Sequence, residues 1–219
     1  MTLFAQWLDT VFSEFDYAIL SFYHSLAELA GAFFTPFMNI ISLSGEKGLL
    51  MFVIAFILML FKKTRKTGLC MFGAVCCGAL LTSITIKPLV GRLRPFEASE
   101  LYREFWSFAG SAVEDGFSFP SGHVTAAAAG SMALFLSRGK KYLWICLPYV
   151  ILMGASRNYF AVHYPTDVIA AMIVGTISAL LAFVIAKLIY DFLEKHRNVK
   201  LFSFILDFNI IKTGSKNNQ

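Results

Sequence analysis

The sequence predicts an all-α integral membrane bundle of six transmembrane helices with an N-terminal amphipathic helix. The 219 residues are 57% hydrophobic and only 15% charged, and the mean hydropathy of the chain is +0.65. Because an ordinary soluble domain carries about 25% charged residues, this chain is too apolar for that class. No linker, internal repeat or low-complexity tract divides it, so we expect one helical domain.

The first 16 residues have the pattern of an amphipathic helix. Their apolar side chains share one helical stripe, formed by Phe4, Trp7, Leu8, Val11, Phe12 and Phe15. Such a helix can lie at a membrane surface. The segment lacks the basic start and cleavage site of a signal peptide, so we expect it to be retained. The same pattern also fits an early turn of the first spanning helix.

Six apolar stretches approach the roughly 20 residues that a helix needs to cross a bilayer. They cover residues 17–43, 46–61, 67–86, 121–137, 142–160 and 166–190. The first is the least regular, because Pro36 can kink or split it. We assign residues 17–190 to the membrane domain. A count of five spans would place the N-terminus on the other side of the membrane.

Lysine and arginine placement predicts the orientation of the bundle, because basic residues near span ends stay on the cytoplasmic side. Thirteen of the 19 lysines and arginines lie after spans two and four, or at and after the end of span six. The other six lie at the opposite end and are Lys47, Lys87, Arg92, Arg94, Arg103 and Arg157. This predicts a multi-pass plasma-membrane protein with residues 191–219 as a cytoplasmic tail.

The formal charge of +5 does not require a nucleic-acid partner, because the surplus falls in the cytoplasmic loops and tail. The four cysteines lie in apolar spans without metal-ligand spacing, at Cys70, Cys76, Cys77 and Cys146. The sequence has no Cys/His cluster of the kind that binds zinc. We expect neither nucleic acid nor a metal cofactor, and the sequence does not predict an oligomeric state.

Three short polar blocks interrupt the apolar chain. They are KPLVGRLRP at residues 87–95, PSGH at 120–123 and SRNYFAVHYPTD at 156–167. All three fall at span ends on the same predicted face, outside the cytoplasm. Together they supply cations, histidines and one carboxylate, which is the set of groups that phosphoryl transfer without a metal requires.

The first block places two cations near the end of the third span. Pro88 follows Lys87 and disfavours helix for the residue before it, so we expect the helix to end at Lys87. Arg94 precedes Pro95, and a guanidinium can bind two phosphate oxygens at once. Both cations are candidate phosphate ligands. The alternative is that they anchor a helix end among lipid headgroups.

The second block stands where the fourth span begins. Ser121 is placed to cap the helix, and Gly122 permits close approach of a ligand. A helix N-terminus offers free amides and a positive dipole end to an anion. His123 would lie beside that anion. As an alternative, His123 is an interfacial or capping residue.

The third block has the spacing of a helix end, a turn and a new helix. Pro165 suits the first turn of the sixth span. Asp167 lies four residues after His163, where it can accept a bond from one ring nitrogen and leave the other free to attack. Arg157 adds a third cation. Asp167 also suits helix capping, and the two roles are compatible.

The three blocks resemble the signatures of the type 2 phosphatidic acid phosphatase superfamily. The spacings match in full: K-x6-RP from Lys87, PSGH from Pro120 and SR-x5-H-x3-D from Ser156. The resemblance covers about residues 35–190. It implies a six-helix membrane bundle and a phosphate pocket like that of vanadium-dependent haloperoxidases.

The resemblance also implies a role for each residue. His163 would attack phosphorus to give a phosphohistidine, Asp167 would orient it, and His123 would protonate the leaving oxygen before water releases phosphate. The phosphate oxygens would be held by Lys87, Arg94, Ser121, Gly122 and Arg157. No cofactor is implied.

Location favours a membrane lipid substrate, because a site at the outer bilayer surface lies at the depth of a lipid phosphate. In a bacterial protein the resemblance favours undecaprenyl pyrophosphate, with phosphatidylglycerophosphate and phosphatidic acid as alternatives. Residues 91–119 carry acids that would discourage a second anion, namely Glu97, Glu100, Glu104, Glu114 and Asp115. A lipid phosphotransferase and a non-catalytic lipid binder or transporter remain alternative classes.

Overall fold

A computed structural model describes residues 1–210, and all regular secondary structure in this part of the chain is helical. The α-helices are α1 (Leu3–Val11), α2 (Ser13–Gly45), α3 (Leu49–Leu60), α4 (Arg65–Ala79), α5 (Lys87–Val90), α6 (Pro95–Ala98), α7 (Glu100–Phe108), α8 (Gly122–Arg138), α9 (Leu143–Tyr159), α10 (Pro165–Lys195) and α11 (Lys200–Asp207). A π-helical stretch, Leu80–Ile86, joins α4 to α5. The predicted all-α class is confirmed.

Three segments of the described chain are long and apolar enough to cross a membrane: Ser13–Leu60, Arg65–Ala98 and Pro165–Lys195. They contain the predicted spans one and two, three, and six respectively. The predicted spans four and five correspond to α8 and α9, which are 17 residues each. The count of six crossings stays a prediction.

The N-terminal boundary differs from the prediction. Helix α1 ends at Val11 and α2 begins at Ser13, so residues 13–16 belong to α2. In α1 the side chain of Leu8 is buried while Trp7 is exposed. Asp16, expected on the polar side of the segment, is 2% exposed. The reason is an ion pair with a buried arginine of the first polar block, described below. The surface location of α1 stays a prediction.

Two further helix boundaries differ from the prediction. The expected end of the third span at Lys87 is wrong, because helical backbone continues to Val90 and ends at Gly91 with a left-handed φ of 61°. Proline is tolerated in the first turn of a helix, and Pro88 lies in the first turn of α5. In α2 the backbone is non-helical at Ala30, whereas Pro36 lies within the helix.

Small residues of α8 bring the central helices into close contact. A Cβ added to Gly175 of α10 would lie 2.7 Å from the Cβ of Ala128. One added to Gly78 of α4 would lie 3.0 Å from Thr125 Cγ2. Ala126, together with other alanines of α8 and α10, forms part of the largest buried cluster. This packing fixes the N-terminal end of α8, which carries the second polar block, against α10.

The segment after α10 packs at the opposite end of the bundle. The Arg65 guanidinium donates to the carbonyl oxygens of Leu206 and Phe208, and Lys62 Nζ lies 2.6 Å from Asp207 Oδ1. Helix α10 runs to Lys195, five residues past the predicted end of the membrane domain. The end of the predicted tail, residues 211–219, lies outside the described part. Its cytoplasmic location stays a prediction.

Candidate active site

The turn between α9 and α10 holds His163 in the interior. The ring is 1% exposed, and the Arg94 guanidinium donates to the neighbouring carbonyl of Val162 at 3.0 Å. Ala161 in this turn has a left-handed backbone with φ of 49°, a conformation that costs a residue other than glycine about 1 kcal/mol or more. The surrounding hydrogen bonds therefore maintain a strained turn two residues before His163.

A serine and a carboxylate lie beside one ring nitrogen of His163. Nδ1 is 3.3 Å from Ser118 Oγ and 3.6 Å from Asp167 Oδ2. Ser118 Oγ donates to the same Asp167 oxygen at 2.5 Å. In the tautomer that carries its proton on Nδ1, the ring donates toward this acidic side. The lone pair of Nε2 is then free for another partner.

Asp167 lies in the first turn of α10, and its carboxylate also points toward His163. It occupies the third position of the helix, after Pro165 at the first. Its Oδ2 accepts the backbone N–H of Tyr164 at 2.9 Å. This amide stands at the N-terminus of the helix, where no backbone carbonyl of the helix is available to accept it. The carboxylate therefore caps the helix while its Oδ2 atom lies toward His163. The capping and orienting geometries occur together.

Arg94 lies beside the other ring nitrogen. Its Nη1 is 3.4 Å from His163 Nε2. The rest of the guanidinium is fixed by backbone carbonyls, with Nε 2.9 Å from the oxygen of Gly116 and Nη2 2.8 Å from that of Asp115. The loop before α8 thus positions a cation within hydrogen-bonding distance of the Nε2 lone pair of His163.

Burial keeps the His163 ring neutral. Loss of hydration, opposed by Asp167 and reinforced by the positive charge of Arg94, lowers the pKa of His163 to about 3. At neutral pH the imidazole is therefore unprotonated at one nitrogen. A neutral ring with an oriented lone pair is the form in which histidine acts as a nucleophile.

The second polar block lies at the N-terminus of α8. Ser121 has the extended backbone of a helix cap, and its side chain makes no capping bond. Its Oγ is buried without a hydrogen-bonding partner among the described residues. His123, in the first turn, lies close to α2, since a Cβ added to Gly45 would be 3.2 Å from its ring. This helix end presents a hydroxyl without a partner and the free amides of a first turn.

Arg157 and Glu114 complete the polar cluster. The buried Arg157 guanidinium donates to Ser42 Oγ and to Glu114 Oε1, while its Nε has no partner in residues 1–210. Glu114 is also 3.4 Å from Arg94 Nη2 and 3.8 Å from His123 Nδ1. One carboxylate thus lies among three side chains that the sequence assigns to phosphate chemistry. Lys87 is half-buried and interacts electrostatically with this cluster.

A cavity of about 840 Å³ adjoins the cluster. Gly122, His123 and Arg157 line it, together with Glu114 and with residues from α2, α4 and the turn after α2. The predicted site residues that do not line it are Lys87, Arg94, Ser121, His163 and Asp167. Residues 1–210 contain no group of three or more His, Cys, Asp or Glu side chains arranged to hold a metal ion.

Residues 67–190 match the family model described as the PAP2 superfamily. The chain belongs to this superfamily. The matched residues include all three polar blocks, the π-helical stretch and helices α8 to α9, with most of α4 and α10. The resemblance inferred from the spacings is thereby confirmed.

Relatives of this PAP2 protein have different named activities. An undecaprenyl-diphosphatase of Sulfolobus acidocaldarius is 30% identical over 121 residues, 55% of each chain. A lipid A 4'-phosphatase of Porphyromonas gingivalis is 36% identical over 57% of this chain and 55% of its own length. The chain spans about half the length of the curated relatives it matches.

A solved structure extends the comparison over most of the PAP2 protein. The crystal structure of a transmembrane PAP2-type phosphatidylglycerolphosphate phosphatase from Bacillus subtilis superposes with a TM-score of 0.61 at 25% identity. The superposition covers 90% of this chain and 92% of that one.

Four residues that contact the predicted site residues, directly or in the case of Asp16 through Arg92, were not singled out as site residues from the sequence: Asp16, Arg92, Glu114 and Ser118. Ser118 stands two residues before the PSGH block and Arg92 stands inside the first block, so each was adjacent to a recognised signal. Glu114 was predicted to discourage a second anion, and it also contacts Arg157. Asp16 is 76 residues from its partner Arg92, and no spacing in the sequence relates the two.

Proposed function

We propose that this protein is a metal-independent membrane phosphatase that hydrolyses a lipid phosphate or pyrophosphate headgroup through a phosphohistidine intermediate. The observation that carries the proposal is the neutral, buried His163, with Ser118 and Asp167 at Nδ1 and Arg94 at Nε2. This arrangement gives the ring one oriented lone pair, at Nε2, directed toward the Arg94 guanidinium. It suits nucleophilic attack on an electrophile that bears several negative oxygens.

The chemical step begins with attack of His163 Nε2 on phosphorus. The bond from phosphorus to the leaving oxygen breaks, and His123 donates a proton to that oxygen. Water then attacks the phosphohistidine, His123 accepts its proton, and inorganic phosphate leaves. Asp167 balances the charge that develops on the ring.

Cations and a helix end would stabilise the charge that develops on the equatorial oxygens. Arg94, Arg157 and Lys87 supply positive charge, and the N-terminus of α8 at Gly122 supplies amides. Two buried atoms support this assignment, because Ser121 Oγ and Arg157 Nε lack partners in the described chain. Buried polar groups nearly always have a partner, and a bound phosphate would provide one for each.

Undecaprenyl pyrophosphate is the substrate we place first, with phosphatidylglycerophosphate and phosphatidic acid as alternatives. The two curated relatives are named for a diphosphate lipid and a lipid phosphate, and the structural neighbour for phosphatidylglycerolphosphate. The cavity combines the polar cluster with apolar side chains such as Val75 and Leu43, which suits a headgroup attached to a lipid. We further propose six membrane crossings, by α2, α3, α4, α8, α9 and α10, with the site outside the cytoplasm.

The direct test is phosphate release by detergent-purified protein in excess EDTA. The substrates are undecaprenyl pyrophosphate, phosphatidylglycerophosphate and phosphatidic acid, and the variant is His163→Gln. His196→Gln is a matched control, because His196 is a partly exposed histidine that follows α10 and belongs to none of the three polar blocks. We expect release that persists in EDTA, is abolished in His163→Gln and is unchanged in His196→Gln.

The outcomes separate the candidate functions. Release that EDTA stops would contradict the metal-independent mechanism. A phosphorylated acceptor without free phosphate would favour a phosphotransferase, and no release from any of the three lipids would favour a lipid binder or transporter. Relative rates among the lipids rank the substrates.

A further inference from the structure

Arg92 is a buried arginine that has no contact with the cavity. Its side chain is 0% exposed, yet it lies in the non-helical segment between α5 and α6, two residues before Arg94. Nη1 donates to Asp167 Oδ1 and to Thr166 Oγ1, both at 2.7 Å. The guanidinium carbon also lies 3.8 Å from the centre of the Tyr164 ring. Arg92 therefore contacts the start of α10 without lining the cavity.

Both oxygens of Asp167 depend on Arg92. The guanidinium binds Oδ1 directly. The backbone carbonyl of Arg92 accepts the N–H of Ser118 at 2.8 Å, and the Ser118 hydroxyl in turn donates to Oδ2. One residue thus fixes the carboxylate at Oδ1 and also places the serine that binds Oδ2, the oxygen nearest His163.

The first two helices hold Arg92 in place. Asp16 Oδ2 accepts from Arg92 Nη2 at 2.9 Å and from Thr166 Oγ1 at 2.8 Å, and its Oδ1 accepts the Thr166 N–H at 3.0 Å. Asp9 Oδ1 accepts from Arg92 Nε at 2.7 Å. Asp9 and Asp16 lie in α1 and α2, outside residues 67–190. Two N-terminal carboxylates are therefore joined to the start of α10 through one guanidinium.

The charges explain why arginine is needed here. Asp16 and Asp167 are 2% and 0% exposed, and a buried carboxylate that loses its cation is strongly destabilised. A planar guanidinium can bind several oxygens at fixed angles, whereas a lysine ammonium is a point charge without this geometry. Lysine could supply the charge at this position but could not reproduce the four hydrogen bonds of Arg92.

We propose that Arg92, held by Asp16 and Asp9, is the positioning residue for Asp167 and thereby for His163, so that helices α1 and α2 form part of the catalytic apparatus. This inference rests on the proposed phosphatase function. It predicts that changes at Arg92 and Asp16 slow the chemical step and leave binding of the phosphate group intact, because neither side chain lines the cavity.

The experiment compares Arg92→Gln, Arg92→Lys and Asp16→Asn with the unaltered full chain. It measures kcat, KM and competitive inhibition by inorganic phosphate. We expect kcat to fall about 10- to 100-fold in Arg92→Gln and less in the other two, the size of effect that partners of directly acting residues have. KM and the inhibition constant for phosphate should stay within about twofold. Arg103→Gln is the matched control, because Arg103 is exposed and its hydrogen-bonding partners in the described chain, Glu100 and the carbonyl of Phe96, lie within seven residues of it.

A double variant links Asp16 of helix α2 to the same mechanism. If Asp16 acts through Arg92, Asp16→Asn should have no further effect on kcat once Arg92 is Gln. Additive losses would contradict that link. Asp9→Asn should have the smallest effect of the set, since Asp9 is 30% exposed and the amide oxygen of asparagine can still accept from Arg92 Nε.

Three results would overturn the inference. One is an unchanged kcat in both Arg92→Gln and Asp16→Asn. Another is loss of kcat together with loss of phosphate inhibition, which would assign Arg92 a purely structural role. If Arg92→Gln does not fold, the kinetics of Asp16→Asn alone test the inference. If neither variant folds, Arg92 and Asp16 have a structural role and the inference is wrong. If the unaltered protein releases no phosphate from any lipid, the proposed function fails first and the inference with it.

Discussion

The carboxylate of Glu114 accepts a hydrogen bond from the guanidinium of Arg157 at the wall of the cavity. Its other oxygen lies 3.4 Å from Arg94. Two cations that would bind the substrate phosphate therefore contact an anion supplied by the protein itself. A phosphate that binds both guanidiniums has to compete with this carboxylate.

Removing the Glu114 charge should tighten phosphate binding. A unit charge about 4 Å away changes an interaction by about 1 kcal/mol even in water, which corresponds to about a fivefold change in affinity. We expect Glu114→Gln to lower the inhibition constant of inorganic phosphate by about this factor. Glu104→Gln, at an exposed position in α7, is the control. Weaker inhibition in Glu114→Gln would mean that Glu114 is needed to hold Arg157 in place.

Loss of the Ser118 hydroxyl should slow catalysis without weakening binding. Ser118 donates to Asp167 and lies 3.3 Å from His163 Nδ1, and one hydrogen bond contributes about 0.5 to 1.5 kcal/mol. Ser118→Ala should therefore lower kcat about 3- to 10-fold. KM should be unchanged, because Ser118 does not line the cavity. Steady-state measurement of kcat and KM tests this prediction, with Ser107→Ala as the control because Ser107 is an exposed serine of α7. A raised KM with normal kcat would be the opposite of the expected result.

The lowered pKa of His163 determines a pH effect on stability. Burial lowers this pKa to about 3, whereas an unfolded histidine titrates near 6.5. Above about pH 6.5 both states are neutral at this ring. Between about 6.5 and 3 the unfolded chain takes up a proton that the folded protein does not, so stability should decrease as pH falls through this window.

Comparison of melting temperatures isolates the contribution of His163. The His163→Gln variant should lose less stability than the unaltered protein between about pH 6.5 and the lowest pH tolerated. Equal acid sensitivity in the two proteins would show that His163 does not remain neutral inside the folded protein. The same neutrality predicts that activity does not decline through His163 protonation between about pH 5 and 7.

The predicted orientation can be tested by cysteine labelling in intact cells. In a background with Cys70, Cys76, Cys77 and Cys146 replaced by alanine, single cysteines are placed at Val113 and Lys140. Val113 is exposed in the loop that carries Glu114, and Lys140 follows α8. A membrane-impermeant maleimide should label Val113→Cys directly and Lys140→Cys only after permeabilisation. The reversed pattern would place the site in the cytoplasm.

Long apolar stretches made the main helices predictable from the sequence. The stretches at 121–137 and 142–160 closely match α8 and α9, because hydrophobic length alone identifies such helices. Boundaries were less accurate where polar residues continue a helix, as in α10, which runs to Lys195. The position of a helix end depends on single residues, and the hydropathy of a stretch does not locate it to within a residue.

The chemistry of the site was predictable where the residues that act together are close in sequence. His163 and Asp167 are four residues apart, so one turn of chain brings them together. Arg92 and Asp16 were not predictable, because charged residues are rarely buried without a partner and their partnership exists only after folding. A charged residue in an amphipathic pattern is ordinarily assigned to the solvent side, and Asp16 is an exception for this reason.

The central claim is that phosphate is transferred to His163. The most direct measurement is to mix the purified protein with a lipid substrate labelled with ³²P in the phosphate, stop the reaction with alkali after milliseconds, and map the label by peptide mass spectrometry. The account predicts label on the ring of His163 and none in His163→Gln. In His123→Gln the label should both appear and disappear more slowly, because His123 takes part in both proton transfers. Rapid phosphate release with no labelled histidine, or label on any other residue, would contradict it.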